Sequence, residues 1–184
     1  MDNDRVDQLR SRRSRLAGLA QAERNRERHG QRFVDELTRV VGSGVTLADF
    51  HVDREPPVAI DPVGLKDASQ WAEVAVDIAR VRERATCFSA ILGAAGGLVG
   101  ILSNDYLGLC AAERVSLEAM VEAADYLEEA IVFYLGDATG AIVIDCYKSP
   151  PGFPPFGLYV FGDALVSRLA SCVVAPADQA TCQK

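Results

Sequence analysis

Residues 2–41 contain no proline and are dominated by Arg, Ala, Glu, Gln and Leu, which predicts a helix. Val6, Leu9, Leu16 and Leu19 give it a sparse apolar stripe, and Phe33, Val34, Leu37 and Val41 give a second. Between them 21–32 is almost wholly polar, so the first part of this helix has no continuous face to bury and is expected to be exposed or frayed. Gly42, Ser43 and Gly44 end it. Residues 45–66 hold Pro56, Pro57 and Pro62 and read as an extended connector with one short strand over 45–52. Trp71, Val74, Ile78, Val81 and Ala85 then recur at steps of three and four. They predict an amphipathic helix over 69–85, capped by Asp67 or Ser69. Phe88, Ile91 and Leu92 prolong its buried face until the glycines at 93, 96 and 97 break it.

The uncharged stretch 85–104 is as long as a membrane span, with GxxxG spacings at Gly93/Gly97 and Gly96/Gly100. Its Gly, Ala, Ser, Thr and Asn content makes it weakly apolar, so a helix end, a glycine turn and a short strand over 97–102 are the better reading. Tyr106 to Cys110 is a short apolar segment. Residues 116–129 read as a second amphipathic helix, with Ser116 as N-cap and Leu117, Met120, Val121, Ala124 and Leu127 facing inward. The continuous apolar run 131–135 suits a central strand. The turn 136–140 joins it to a return strand over 141–147. A proline-rich loop spans 148–157, and a third strand covers 158–161. Residues 164–174 fit strand or helix equally, and 175–184 read as a loose tail. Helices followed by meandering strands imply an α+β fold with an antiparallel sheet, helices on one face, and a long N-terminal helix in front. The expected organisation is a helical arm at 1–42, a connector at 43–66, the α+β domain at 67–174 and the tail.

Charge sharpens this picture. The 184 residues carry a net charge of −7, which disfavours binding of nucleic acid or of an anionic membrane by the main domain. Residues 1–32 hold nine Arg against five acids, a net +4, which leaves −11 on the rest of the chain. The helix over 116–129 carries Glu118, Glu122, Asp125, Glu128 and Glu129 and no Lys or Arg, although helices commonly offset their acids with basic partners four residues away.

Candidate chemistry is sparse. Five Cys form no CxxC pair; Cys87, Cys110 and Cys146 lie in apolar runs and are expected to be free core thiols. With two His, both far from any Cys cluster, no metal site is expected. The charged start MDNDRVDQLR and the cysteine usage point to a reducing cytoplasm. Ser103 to Leu109 resembles the NDYLGL segment of the pyridoxal-phosphate-dependent α-oxoamine synthases. Too little chain follows to build such an enzyme, and Lys148 sits in the proline loop, so no cofactor is expected. No GxSxG elbow or P-loop lysine occurs. Asp137 and Asp145 flank a turn, where an Asp commonly accepts backbone hydrogen bonds and less often binds a cation.

Read in order, 88–172 carries a recurring set of motifs. Phe88 to Leu92 ends a helix, and Gly96-Gly97-Leu98-Val99-Gly100 turns into a strand. Tyr106 to Leu109 leads to the acidic helix, followed by Val132-Phe133, Gly136-Asp137, Gly140, Ile142 to Asp145, and Leu158 to Phe161. This order resembles the SUKH superfamily, which includes a fungal cell-wall assembly regulator and many bacterial toxin-immunity proteins. The chain departs from the pattern at Ala95, where the family has Asn, and in its closing helix. The resemblance implies a non-catalytic protein-binding domain, in bacteria often an immunity protein that neutralises a toxin. Residues 85–172 carry −7, so the expected partner is a protein toxin or another basic protein. The expected contact face comprises Asp105, Glu113, Glu118, Glu122, Asp125, Glu128 and Glu129, with Gly96, Gly97, Gly100, Gly136 and Gly140 as structural turns. The alternatives are a regulatory or scaffold domain of the same fold with several partners, and an enzyme with an unrecognised site.

Overall fold

A computed structural model describes residues 2–42, 44–104, 106–146 and 154–173. The sheet is organised around its most apolar strands. β5 (Ile131–Leu135) and β6 (Ala141–Cys146) form a hairpin, and β7 (Phe156–Phe161) extends it on one side. On the other side lie β3 (Gly97–Ile101), β4 (Leu109–Ala112) and the two-residue edge strand β1 (Phe50–His51). β2 (Trp71–Val76) closes the far edge against β7. The order is β1-β4-β3-β5-β6-β7-β2, and every neighbouring pair is antiparallel.

Alternation along the strands divides the buried residues between two faces. Ile131, Phe133, Leu135, Ile142, Ile144, Phe156, Leu158 and Val160 face the helices α1 (Asp2–Val41), α3 (Ile78–Leu92), α4 (Leu117–Leu127), α5 (Asp163–Arg168) and α6 (Ala170–Val173). Val132, Tyr134, Val143, Tyr159 and Phe161 face the other way. Val58, Ile60 and Leu65, the last in the one-turn helix α2 (Leu65–Ala68), pack against that second face. The stretch read as a connector is therefore a cover for the sheet. Burial there pushes the Tyr134 phenol up to about 12.

The second half of α1 belongs to the core. Phe33, Val34, Leu37 and Val40 are buried, whereas the apolar pattern had selected Val41, which is half-buried. Farther toward the N-terminus, Leu16 is 58% exposed and Leu19 59%, as the interrupted stripe predicted.

The helix expected over 69–85 is not formed as such. Trp71–Val76 is strand β2, paired from Trp71↔Val160 to Val76↔Phe156, and α3 begins only at Ile78. A bulge at Ala75, with φ at +53°, lets both Trp71 and Val76 reach the helix-side core. Asp77, not Asp67 or Ser69, caps α3 by accepting a hydrogen bond from the Arg80 N–H at 2.7 Å. The three-four spacing is genuine from Ile78 onward and coincidental before it. Ile91, expected in the buried face, is 41% exposed. Gly93 ends the helix at a φ of +59°, a conformation that suits glycine.

Other boundaries move less. Ser116 caps α4 as expected, accepting from Ala119 N–H at 3.2 Å. β7 starts at Phe156, two residues earlier than the third strand was placed, and 164–173 resolves into α5 and α6. Of the proline loop expected over 148–157, residues 148–153 lie outside the described residues and 156–157 belong to β7; the tail 175–184 lies outside them entirely. Cys110 and Cys146 are buried free thiols, and burial pushes Cys146 up to about 11. Cys87 is not free: it is bonded to Cys172, tying α3 to α6 across 85 residues of chain.

Candidate functional site

α4 is the middle helix of the layer and packs against both α1 and α3. Its inner face, Leu117, Met120, Val121, Ala123, Ala124 and Leu127, is buried against the sheet and these neighbours. Steps of four and three place Glu118, Glu122 and Asp125 together on the exposed face, with Tyr126 61% exposed beside them. Glu128 is exposed at the C-cap in a left-handed conformation, and Glu129 is partly buried. Glu113 is exposed just after β4. Asp105 lies outside the described residues.

Both flanking helices touch this face. The Thr86 hydroxyl of α3 donates to Glu118 Oε1. The Arg32 guanidinium of α1 sits 5.9 Å from the centre of the Tyr126 ring. The flanks are basic: α3 holds Arg80, Arg82 and Arg84 against Glu83, and α1 holds ten Arg against seven acids. The acidic residues thus form a stripe about one helix wide, with Arg32 of α1 beside it, while Arg80 and Arg84 of α3 are paired with Glu73.

The glycines named with this site lie elsewhere. Gly97 and Gly100 are within β3, and a Cβ on Gly97 would run into the Tyr134 carbonyl and the Phe133 ring. Gly96 and Gly136 meet backbone to backbone, the Gly136 N–H donating to the Gly96 carbonyl at 2.9 Å. Gly140 leads into β6, where a Cβ would strike the Phe161 carbonyl. Asp137 accepts from the Thr139 hydroxyl at 2.6 Å and the Thr139 N–H at 3.1 Å, which holds its pKa below the usual value. It therefore acts as a turn acceptor. Burial raises Asp145. Among the described residues no group of three or more His, Cys, Asp or Glu is placed to hold a metal ion, and no helix is long and apolar enough to cross a membrane.

Two polar clusters escaped the sequence reading. Arg84, 6% exposed, donates from Nε to Glu73 Oε2 at 2.9 Å and from Nη1 to the Cys172 carbonyl, and its guanidinium stands 5.7 Å from the Trp71 ring centre. Arg80 Nε meets the other oxygen of Glu73 at 2.8 Å. Burial alone would raise the Glu73 pKa, but the hydrogen bonds from Arg84 and Arg80 outweigh it and hold the carboxyl below its ordinary range. The second cluster centres on Arg26 of α1. Its Nη1 donates to the Tyr106 and Leu107 carbonyls at 3.2 and 2.5 Å, and its Nη2 to the Leu47 and Phe50 carbonyls at 2.5 and 2.6 Å. It forms one wall of a cleft of 510 Å³ between α1 and β1. Both arginines reach carbonyls or carboxylates far away in sequence, so no local spacing marks them.

No family model matches the chain, and neither does any curated protein or solved structure.

Proposed function

We propose that this chain is a non-catalytic protein-binding domain of the SUKH kind, an immunity protein that neutralises a basic bacterial toxin through α4. One observation carries the reading: the exposed stripe Glu118, Glu122 and Asp125 lies on a helix with no Lys or Arg, held at the centre of the helix layer. A helix held in place presents a row of carboxylates in one register, which steers a basic protein and pairs with its Lys and Arg side chains without the backbone first having to be ordered. Glu113, Glu128 and Glu129 widen the contact surface.

The test compares the wild type with the triple variant Glu118→Lys, Glu122→Lys, Asp125→Lys as bait in cells of the source organism. The expected result is one basic protein retained by the wild type, released by salt, and lost from the variant. Co-expression of that protein should arrest growth, and only the wild type should restore it. Retention of the same proteins by both baits refutes the reading, as does binding that salt leaves unchanged. The reading places the protein in the cytoplasm. There a reducing poise would keep Cys87 and Cys172 as thiols, so alkylation at lysis, followed by mass measurement, decides the compartment.

A further inference from the structure

Val58, Ile60 and Leu65 cover part of the sheet face turned away from the helices. The same face also bounds a cavity of 240 Å³, with Leu102, Leu109 and Val132 among its apolar walls. The polar side chains that line it are Arg54, Asn104 and Tyr134, and among the described residues no carboxylate does. Each of the three is left as a donor. Arg54 follows β1, with its backbone N–H donating to the His51 carbonyl at 3.3 Å. Its Nη1 is closed off from solvent and has no hydrogen-bond partner. No ion pair among the described residues engages the guanidinium. A desolvated N–H on a charged group is costly to leave unpaired, so this orphan marks a missing acceptor. Asp49 shares a second cleft with Arg54, but its Oδ2 is taken by the Thr46 N–H at 2.7 Å and the Thr46 hydroxyl at 2.8 Å. Asn104 Oδ1 accepts from the Tyr106 and Leu107 N–H groups at 3.2 and 2.8 Å, which leaves its NH2 to donate. Tyr134 is 4% exposed, and burial keeps its phenol protonated up to about 12.

We propose that this cavity binds a small aliphatic monocarboxylate, with its carboxylate on Arg54 and its chain against Leu102, Leu109 and Val132. A guanidinium fork matches the two oxygens of a carboxylate. A small turn of the Arg54 side chain, which no side-chain hydrogen bond among the described residues holds, gives Nη1 the acceptor it lacks. The Asn104 NH2 and the Tyr134 hydroxyl are the further donors to the remaining lone pairs. One cation balances one negative charge, so a phosphate dianion would bring a second charge with no partner in the lining. A cationic ligand would meet donors only. At about 30 Å³ for each group of water size, 240 Å³ holds roughly eight heavy atoms, the size of hexanoate. The cavity lies on the sheet face away from α4, so its occupation does not depend on the role given to that helix.

Isothermal titration of the full chain at neutral pH and matched ionic strength tests this, with hexanoate, hexylamine and inorganic phosphate as probes. Hexanoate should bind saturably at one site per chain, hexylamine should not bind, and phosphate should bind at least about tenfold more weakly than hexanoate. Arg54→Gln removes the charge at similar size and should weaken hexanoate binding at least about tenfold. Because Arg54 has no counter-charge to lose, that variant should melt no lower than the wild type. Tyr134→Phe deletes one donor and keeps the buried ring, and should weaken binding about threefold or more. It carries the test should Arg54→Gln fail to fold. Hexanoate should raise the melting temperature of the wild type and leave that of Arg54→Gln unchanged. Absence of hexanoate binding overturns the proposal. So does hexylamine or phosphate binding as tightly as hexanoate, or a hexanoate affinity that neither variant changes.

Discussion

Removing the Cys87–Cys172 bond tests how the C-terminal helices are held. The bond closes a loop of 85 residues between α3 and α6, with the two Cα atoms 5.8 Å apart. In the chain-entropy description, opening a loop of that length returns about 4.6 kcal/mol of conformational freedom to the unfolded chain at 25 °C. Measured losses for native disulfides span about 2–5 kcal/mol. In a chain of this size each kcal/mol moves the melting temperature by about 2–4 °C, so a fall of roughly 5–15 °C is expected. Cys87→Ala is the better single substitution, because Cys87 is half-buried whereas Cys172 is 1% exposed and packed. The α6 backbone keeps a second tie, the hydrogen bond from Arg84 to the Cys172 carbonyl, so the folded state should survive and only its margin shrink. Thermal unfolding of the oxidised protein, the dithiol-reduced protein and Cys87→Ala is the assay. Reduction and substitution should lower the melting temperature by similar amounts, and reduction should add nothing to the variant. Melting within 1 °C across all three would refute the reasoning, as would failure of the purified protein to form the Cys87–Cys172 bond under oxidising conditions.

Two further substitutions probe the fold elsewhere. Glu73→Gln leaves Arg84 buried without its counter-charge and should cost roughly 3 kcal/mol at pH 6 by urea denaturation. The Glu73 pKa is depressed in the folded state, so its contribution is complete above the unfolded value of about 4.5 and is lost as the pH falls through the folded value; the difference between wild type and variant should narrow toward pH 3, and a constant difference would contradict the charge pairing. Gly97→Ala drives a Cβ into the Tyr134 carbonyl and the Phe133 ring and should cost about 3 kcal/mol or more, whereas Gly96→Ala, whose nearest neighbour would be the Ala112 carbonyl at 3.4 Å, should change the melting temperature little. Equal tolerance of the two alanines in a thermal melt would show that the strand is not held where described.

The hairpin of β5 and β6 and the helix α4 were legible because each carries its own signal: five apolar residues bounded by a glycine turn, and a capping Ser116 ahead of a three-four apolar face. Trp71–Val76 misled because a strand with a bulge at Ala75, running straight into a capped helix, reproduces helical spacing by accident. The sequence carries two cues to the strand, β-branched Val74 and Val76 and the cap residue Asp77 ahead of Ile78, but Trp71 and Val74 also fall on the helical period. The cover over 52–68 was hidden for another reason. Val58, Ile60 and Leu65 are spaced without period, and their role depends on a sheet face built from residues 70 to 100 positions later. The disulfide and the Arg26 and Arg84 clusters are long-range pairings of the same kind, invisible until the topology brings α6 to α3 and the loop before β4 to α1.

The topology also changes what the charge means. Sequence arithmetic divided the chain into a +4 stretch at 1–32 and a −11 remainder, as though a basic arm were attached to an acidic body. Folding brings them together: α1 and α3 pack on either side of the net acidic α4, with Arg32 beside the acidic stripe. At separations near the Debye length of about 8 Å, neighbouring helices of opposite sign partly cancel each other's field at a distance. The −7 total therefore overstates the reach of the acidic stripe and understates its contrast with the flanks. On the proposed reading, a partner drawn to α4 is selected less by its net charge than by presenting basic residues in a row about one helix wide, because Arg32 stands beside the stripe over the Tyr126 ring, whereas Arg80 and Arg84 of α3 are already paired with Glu73.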